Sequence, residues 1–257
     1  MDVYAEERQQ AIATLVVEQG RIAVTAVAEH FGVTTETVRR DLAVLERAGV
    51  LRRVHGGAVP AAALSLVETA LAERHGTRAE AKRKIAAAAL DLLPGPGGSI
   101  LLDGGSSTAA LAEVLPTDRN LFVATNSVPI AARLATVAGL TLHVLGGRVR
   151  GLTQCAVGET PVRALADLRA DVAFLGTNGI APGHGLTTPD EAEASVKRAM
   201  VRAGQRVVVL ADSSKLGREQ LVRFAALDDV DVVVTDGEAD PAVVGRIEDA
   251  GVEVVIA

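Results

Sequence analysis

The stretch TTETVRRDLAVLERAGVLRRVHGG, residues 34–57, predicts a helix followed by a small basic wing. Apolar side chains recur there at helical spacing and form a single stripe. The members of the stripe are Val38, Leu42 and Leu45, joined by Val44 and Ala48. Polar and basic side chains fall outside the stripe, so one face of the helix is expected to pack and the other to contact an anion.

Arginines dominate the charge of this stretch. Between Arg39 and Gly57, five arginines stand against two acids, a local balance of +3 in a chain whose net charge is −6. The arginines occupy positions 39, 40, 47, 52 and 53, and the acids are Asp41 and Glu46. A basic cluster within an acidic chain is typical of a phosphate-binding surface. We expect Asp41 to pair with a neighbouring arginine rather than to contact a base.

Two shorter helical segments precede this stretch. The first runs from Glu6 to Gln19 and is ended by Gly20, and Thr25 is expected to cap a second helix that ends at Gly32. This order predicts a helix-turn-helix, whose last helix enters the major groove of DNA. The segment VLRRVHGGAV after Gly49 predicts two strands of a wing. A solvated helical hairpin would also expose arginines, but helix lengths, turn glycine, charge and wing together favour the DNA-binding interpretation.

Composition excludes several other classes of protein. The chain has 257 residues, 49% of them hydrophobic, with no Trp, one Tyr and four Phe, so it lacks the aromatic platform of a single-strand nucleic-acid binder. One cysteine, Cys155, excludes an internal disulfide, and five scattered histidines form no zinc pattern, so neither metal nor cofactor is expected. Cys155 is expected to fill a small apolar space. No apolar run reaches membrane-spanning length, and we expect a cytoplasmic protein.

The composition changes after Val59, where Pro60 ends the wing and a weakly patterned Ala-rich segment follows. We therefore expect a DNA-binding head at residues 1–59, a linker at 60–75 and a second domain at 76–257. The head has seven basic and eight acidic residues, a balance of −1, and subtracting it from −6 leaves −5 for the remainder. Only the head is therefore expected to contact double-stranded DNA.

Beyond residue 78, helical segments alternate with continuous aliphatic strands. This alternation predicts an α/β domain with a mostly parallel sheet covered on both faces. The predicted strands are 99–103, 121–125, 140–145 and 171–177, then RVVVLAD, DVVVTD and VEVVIA, with a hairpin-like segment before Gly158. Ligands of such folds bind beyond the carboxyl ends of the strands.

Small and polar residues gather at those strand ends. In LLDGGSSTAAL, a strand-to-helix loop offers backbone amides, the helix dipole and hydroxyls to a phosphate. Its residues are Gly104, Gly105, Ser106, Ser107 and Thr108. The glycine spacing rules out a dinucleotide fingerprint or a Walker loop, although a Gly-Ser turn also serves as a plain helix cap. Further polar strand ends at 125–126, 146–147, 176–179, 185–188 and 212–215 predict a polar, sugar-sized site.

The run VTTETVRRDLAVLERAGVLRRVHGGA, residues 33–58, resembles the N-terminal signature of the DeoR family of bacterial transcriptional regulators. It has the Arg-Arg-Asp-Leu centre, a Leu-Glu pair, a glycine and the terminal Arg-x-His-Gly-Gly-Ala, with Thr34 and Val38 where Ser and Ile are commoner. The resemblance implies that operator DNA is contacted by Thr34, Thr35, Thr37, Arg39 and Arg40, and that Arg52, Arg53 and His55 serve the wing. Arginines suit phosphate or guanine, and threonines suit phosphate or a thymine methyl. His55 has a competing role in packing the wing.

Nearly the whole chain after residue 75 resembles the sensor domain of the same family, which is similar in fold to ribose-5-phosphate isomerase. The resemblance implies that Asp103 and the 104–108 loop hold phosphate and nearby hydroxyls, and that the sugar is bound by Asn126, Asn178 and Thr188. It further implies Glu191 or Glu193 near the site, with Lys197 and Lys215 as anion partners. Lys197 has an alternative as a surface ion pair with Glu193, four residues away.

More narrowly, the segments ADVAFLGTNGI, GLTTPDEAEASVKRAMV and ADSSKLG resemble the fructose-operon repressors of this family. This resemblance implies a repressor that a phosphorylated sugar, fructose 1-phosphate, releases from its operator. A homo-oligomer, dimer or tetramer, is expected because one short helix reads too few bases.

An isomerase carrying a DNA-binding head is the competing interpretation. Aldose–ketose isomerisation needs a base that moves a proton between adjacent carbons. The related isomerases have an acidic Asp-Gly-Ala-Asp-type loop where this chain has Gly-Thr-Asn-Gly at 176–179. Amides bind hydroxyls but do not accept the proton, and Asp103 and Glu191 remain as the candidate bases. A regulator without enzymatic activity is therefore expected.

Overall fold

The computed structural model describes residues 5–19, 22–48, 50–54, 56–60 and 71–257. Gly20, Gly49, His55 and residues 61–70 lie outside these ranges, as does the side chain of Arg52. The chain divides into two units, Met1–Leu66 and Val67–Ala257, and each is described by itself.

The first unit contains three helices: α1 Ala5–Gln19, α2 Val24–Phe31 and α3 Thr35–Arg47. Helix α2 ends at Gly32, whose φ of +64° suits glycine and lets its N–H bond the carbonyls of Ala28 and Glu29. The predicted cap at Thr25 is wrong, because α2 begins one residue earlier and its N-cap, Ala23, has no side-chain bond. Residues 22 and 23 are paired in a strand, so the chain turns directly from that strand into the helix.

Three short strands form the wing, and the sequence predicts only two of them. They are β1 Ile22–Ala23, β2 Leu51–Val54 and β3 Gly57–Pro60, with antiparallel pairing in the order β1-β3-β2. Strand β1 has two residues, which is too short to show an alternating pattern. Pro60 ends the wing, as expected, from inside the last strand, where it stands opposite Leu51.

The core of the first unit is aliphatic, and α3 contributes Val38, Leu42 and Leu45 to it. Val44, expected in the same stripe, is 38% exposed, and Ala48 is also exposed. The buried stripe is completed instead by Asp41, whose carboxylate accepts hydrogen bonds from Arg8 Nε at 2.7 Å and Gln9 Nε2 at 2.9 Å. Asp41 thus pairs with an arginine, as expected, but the partner comes from α1 rather than from its own helix.

The second unit begins, in the described residues, with a short helix and continues as alternating strands and helices. Its helices are α4 Leu71–Gly76, α5 Ala79–Ala89, α6 Ser106–Val114, α7 Val128–Leu134, α8 Glu159–Ala166, α9 Glu191–Ala203 and α10 Pro241–Glu248, with single 3₁₀ turns at Leu90–Leu92, Ser213–Lys215 and Leu227–Asp229. Its strands are β4 Ser99–Leu102, β5 Leu121–Thr125, β6 Leu140–Val144, β7 Arg148–Arg150, β8 Cys155–Val157, β9 Ala170–Gly176, β10 Gly179–Ala181, β11 Gly185–Thr188, β12 Gly204–Leu210, β13 Val222–Ala225, β14 Val232–Thr235 and β15 Glu253–Ile256.

Seven strands form a parallel sheet in the order β15-β14-β12-β9-β4-β5-β6. Apolar side chains cover both of its faces, because α5, α6 and α7 pack on one and α8, α9 and α10 on the other. The predicted doubly covered parallel sheet is confirmed. Parallel strands end at the same edge of a sheet, so the loops after β4, β9 and β12 meet there.

Two smaller antiparallel sheets lie beside the main one. Strands β7 and β8 form the predicted hairpin, and β10, β11 and β13 form a three-stranded sheet that the sequence does not predict. Its strands are three or four residues long, so they resemble polar loops in the sequence. This second sheet holds the 176–179 and 185–188 segments in place beside the ends of the main sheet.

Candidate functional site

The start of α3 is fixed by threonines. Thr34 is its N-cap, and Thr34 Oγ1 accepts a hydrogen bond from the Thr37 N–H at 3.2 Å. The hydroxyls of Thr34 and Thr37 are also 2.9 Å apart. Both threonines therefore help to hold the helix start, and Thr35 is half-buried between them.

The two arginines that follow on α3 are exposed. Arg39 Nη1 lies 3.4 Å from Glu36 Oε2, with both side chains more than 60% exposed. An ion pair in open water contributes little, so a DNA phosphate can displace Glu36 from Arg39. Arg39 and Arg40 are brought together on one exposed face, as the sequence predicts.

Arg53 joins the wing to α3 through a contact with Glu46 that the sequence does not predict. Arg53 Nε donates to Glu46 Oε2 at 2.7 Å, and the backbone N–H of Arg53 donates to Glu46 Oε1 at 2.9 Å. Arg53 therefore holds the wing beside α3. Arg52 and His55, the other predicted wing residues, belong to the part whose side chains are not described.

A polar pocket lies at the carboxyl ends of β4, β9 and β12. Its walls are the 104–107 loop, segment 176–178, segment 210–215 and side chains from α4, α5 and α9. Of the predicted effector residues, the pocket brings together Gly104, Gly105, Ser106, Ser107, Asn178 and Lys215. Their assignment to a ligand stays a prediction.

The 104–107 loop presents an uncapped helix start to the pocket. Helix α6 begins at Ser106, and no side chain caps it at Gly105. Amides at such a terminus bind anions. A Cβ at Gly104 would lie 1.9 Å from Cys155 Sγ, so only glycine fits against the buried cysteine. Thr108 is fully buried, and its hydroxyl donates to Gly105 O at 3.0 Å, so it shapes the loop from behind.

A buried ion pair forms the floor of the pocket. Lys197, 5% exposed, donates to the carboxylate of Asp103, 2% exposed, and to Gly176 O at 2.8 Å. Asp103 also accepts from the Gly176 N–H at 3.0 Å. The surface pairing of Lys197 with Glu193 is therefore wrong, because the side chain turns inward across the sheet edge. Asp103 supports the floor rather than lining the pocket.

Glu193, and not Glu191, faces the pocket. Glu193 accepts hydrogen bonds from the Thr153 hydroxyl and from Arg150 Nη1 at 3.2 Å. The side chain of Glu191 is 68% exposed and pairs with Arg198 at 2.9 Å, so its predicted place near the site is wrong. Residues two positions apart on a helix differ by about 200° in direction, so Glu191 and Glu193 lie on opposite sides of α9.

Two other predicted sugar ligands support the walls from outside. Thr188 is fully buried, and its hydroxyl donates to Asn178 Oδ1 at 3.2 Å. Asn126 is also buried and donates to Ala156 O at 3.1 Å, joining the end of β5 to β8. Neither lines the pocket, because their side chains are used between strands. Cys155 is buried as expected, and burial raises the pKa of its thiol to about 12.

Three further cations line the pocket: Arg74, Lys82 and Lys215. Burial lowers the pKa of Lys82 and of Lys215 below the usual lysine value, repulsion from nearby cations lowers both further, and Asp212 opposes this. Arg74 is not predicted from the sequence, because residues 60–75 are expected to form a linker, and Lys82 is not predicted either. A sequence signal for Lys82 exists, since it shares the buried α5 stripe of Ile85, Ala86 and Ala89.

Within the described residues, no group of three or more His, Cys, Asp or Glu side chains is arranged to hold a metal ion. No helix in the same residues is long and apolar enough to cross a membrane.

A winged helix-turn-helix with an exposed basic face, followed in the chain by an α/β domain with a polar, cation-lined pocket, is typical of a DNA-binding regulator. Comparison with protein families agrees for both parts. A DeoR-like helix-turn-helix domain matches residues 8–62, and a DeoR C-terminal sensor domain matches residues 77–237. The chain belongs to the DeoR family of transcriptional regulators, and it is a DNA-binding transcriptional repressor rather than an enzyme.

Full-length relatives support this assignment. The chain is 37% identical to the HTH-type transcriptional regulator GlpR of Haloferax volcanii, over 97% of this chain and 96% of the relative. It is 31% identical to the glycerol-3-phosphate regulon repressor of Escherichia coli, over 95% of each chain. It is 33% identical to the uncharacterized HTH-type transcriptional regulator FruR of Bacillus subtilis, over 90% of this chain and 91% of the relative.

Proposed function

We propose that the protein represses an operon for the use of a sugar and leaves its operator when a phosphorylated sugar fills the pocket. The observation that carries this proposal is that an uncapped helix start and three cations, the buried Lys82 and the half-buried Arg74 and Lys215, line one polar pocket. A phosphate ester satisfies the amides and the cations together, while the rest of the sugar needs hydroxyl partners. The proposal places the protein in the cytoplasm with its operator.

The phosphate is assigned to the amides and hydroxyls of the 104–107 loop and to Lys215. Phosphate dianions bind well at a helix N-terminus, because the amides and the helix dipole both favour negative charge. Lys215 faces the same pocket from the 3₁₀ turn Ser213–Lys215. Asp236 holds this turn by accepting the Ser213 N–H at 2.7 Å, so the lysine is kept in position.

The sugar hydroxyls are assigned to Asn178 and Glu193. Thr188 orients the amide of Asn178, and Thr153 with Arg150 orients the carboxylate of Glu193. Asn126 and Asp103 are assigned indirect roles: Asn126 bonds the β7–β8 hairpin at Ala156, and Asp103 bonds Gly176 at the floor of the pocket. Glu191 has no part in this arrangement.

Fructose 1-phosphate is the proposed effector. Part of the pocket lining lies in segments 170–180, 185–201 and 211–217, which resemble the fructose-operon repressors. One relative is named FruR and another is a glycerol-3-phosphate regulon repressor, so glycerol 3-phosphate is the effector to test against it.

Operator DNA is assigned to Thr34, Thr35, Thr37, Arg39 and Arg40 on α3 and to Arg52, Arg53 and His55 in the wing. The protein is proposed to bind as a dimer or tetramer, because symmetric pairing of heads doubles the contacts with DNA. A coupling of about 1–3 kcal/mol between effector and operator would change DNA affinity by about 5- to 150-fold, enough to switch a promoter.

A thermal-unfolding screen of the full-length protein tests the effector. The ligands are fructose 1-phosphate, fructose 6-phosphate, fructose 1,6-bisphosphate, glycerol 3-phosphate, ribose 5-phosphate and free fructose. A ligand that binds only the folded state adds about 2.7 kcal/mol at 100 times its dissociation constant, which shifts the unfolding midpoint upward. We expect a shift with fructose 1-phosphate and none with fructose, whereas a flat response to every phosphosugar would remove the sensor function.

Replacing Ser107 tests the phosphate position. Ser107 is 8% exposed at the start of α6, so Ser107→Asp places a negative charge where the phosphate is expected. Effector response should be lost while operator affinity without effector stays unchanged. Ser107→Ala is the matched control, because it removes the hydroxyl without adding charge and should retain most of the response. A full response in Ser107→Asp would move the phosphate elsewhere in the pocket.

A further inference from the structure

Helix α4 is the first described element after the head, and contacts at both of its ends hold it in the sensor unit. Leu71 is 4% exposed, and its N–H donates to Leu152 O at 3.1 Å, next to the β7–β8 hairpin. At the other end of α4, Lys82 Nζ donates to the carbonyls of Arg74 and Thr77. Lys82 therefore fastens the end of α4 to α5, and it does so from the wall of the pocket.

Arg74 extends from α4 into the same pocket. Its Nε is shielded from solvent and has no hydrogen-bond partner in the described part of the chain. A buried guanidinium N–H without an acceptor is unfavourable, and native structures rarely retain one unless a water, an ion or a ligand supplies the acceptor. The Nε therefore marks a position for an acceptor from outside the protein.

The surroundings of Arg74 select an anion as that acceptor. Arg74, Lys82 and Lys215 line the pocket together, and Arg78 is close enough to act electrostatically on both lysines. Asp212 is the acid that acts on both lysines, and it already accepts hydrogen bonds from the N–H and hydroxyl of Ser214. Arg78 is itself paired with Asp236 and Glu238. A phosphoryl group balances these cations, and arginine binds its oxygens in a two-pronged geometry that lysine does not offer.

We propose that Arg74 and Lys82 bind the effector phosphate, and that Arg74 transmits pocket occupancy to α4 and to the segment that leads to the DNA-binding head. This inference rests on the proposed function, since it requires a phosphosugar in the pocket. A phosphate bonded to Arg74 pulls on the middle of α4, and the same phosphate competes for the Lys82 ammonium that holds the end of α4. Residues 61–70 connect α4 to the wing in sequence.

Arg74→Gln in the full-length protein tests both parts of the proposal. Two quantities are measured: the dissociation constant of fructose 1-phosphate by calorimetry, and operator affinity with and without saturating fructose 1-phosphate. Loss of a charged phosphate ligand should weaken effector binding by about 10- to 100-fold. At saturation, operator affinity should stay near its effector-free value instead of changing by the wild-type factor.

The matched control is Arg246→Gln, which removes the same charge from an exposed position on α10. It should keep wild-type values in both measurements. Arg74→Lys restores the charge without the two-pronged geometry, so it should recover part of the affinity and little of the response. If Arg74 had a purely structural role, Arg74→Gln and Arg74→Lys would both lower the unfolding midpoint of the free protein. Effector affinity and the change in operator affinity would then fall together in both variants.

The outcomes separate this inference from the proposed function. If wild type binds none of the phosphosugars, both fail together. If wild type binds fructose 1-phosphate and Arg74→Gln binds it equally well, or reaches the wild-type change in operator affinity at saturation, the effector site stands and the role of Arg74 is overturned.

Discussion

The recognition helix and the sensor pocket both collect basic side chains, but they place them in opposite surroundings. On α3, Arg39 and Arg40 are exposed, and the acid nearest to Arg39, Glu36, is itself 64% exposed. In the pocket, Lys82 is 6% exposed, Lys197 is 5% exposed, and the Nε of Arg74 is shielded from water. The first set is open to a large partner, whereas the second lines a pocket or lies buried at its floor.

Burial explains why the two sets use different residues. An exposed arginine keeps its charge and its hydration, so it binds DNA phosphates through interactions that salt screens. An enclosed lysine has lost part of its hydration, so its charge is retained only if an anion or a carbonyl replaces the lost water. Desolvation therefore makes the pocket lysines depend on a matching partner, whereas exposure leaves the arginines of α3 accessible to DNA.

The largest difference between the two regions should appear in stability. Asp103→Asn leaves Lys197 buried without a carboxylate, and removal of one partner from a buried pair costs about 3–5 kcal/mol. Glu36→Gln is the matched change on α3, and the free energy of unfolding should alter by no more than about 0.5 kcal/mol. Urea unfolding of the full-length protein measures both. Equal, small losses would mean that the Asp103–Lys197 pair is as well solvated as the surface pair.

Arg39→Ala should weaken operator binding by about 1–3 kcal/mol if it contacts a base, or reduce the salt dependence by about one unit of slope if it contacts a phosphate. Operator titrations at several salt concentrations distinguish the two. Arg246→Ala removes an equal charge from an exposed position on α10 and should leave both affinity and slope unchanged. Unaltered binding in Arg39→Ala would remove this arginine from the recognition face.

The sequence predicts the elements whose signals are local and long. The three helices of the head have a clear apolar stripe or a glycine stop, and the parallel strands are continuous aliphatic runs. The misses are short or unpatterned: β1 has two residues, and β10, β11 and β13 have three or four. Such strands form because neighbouring segments supply their partners, and that information lies outside their own sequence.

The same distinction divides the candidate site. The 104–107 loop is predictable because strand, glycines and helix start are adjacent in sequence. The positions of Glu191 and Glu193 are not, since only the orientation of α9 decides which of them faces inward. Arg74, Lys82 and Lys215 come from α4, α5 and a 3₁₀ turn, so their proximity is a product of the tertiary fold.

The smallest predicted effect is on pH dependence, and it separates the two basic regions most directly. Burial lowers the pKa of Lys82 and of Lys215, so both lysines lose protons at a lower pH than ordinary lysines do. Raising the pH toward the lowered pKa values of these lysines should therefore weaken effector binding, since a phosphate ester stays a dianion above its second pKa of about 6. Operator affinity without effector should stay level, because arginines keep their charge.

Raising the pH has opposite effects on the folding stability contributed by these lysines and on effector affinity. Below the ordinary lysine pKa of 10.5, the unfolded chain holds more protons at these two positions than the folded chain does. Their contribution to stability therefore increases as the pH rises through the lowered pKa values, while effector affinity falls.

Calorimetry in buffers of different ionisation enthalpy detects the protons taken up with the effector. Lys84→Met, at a 59% exposed lysine on α5, should leave that proton uptake unchanged, and Lys82→Met should reduce it. Equal uptake in both variants would show that the lysine in the pocket wall does not bind the anion.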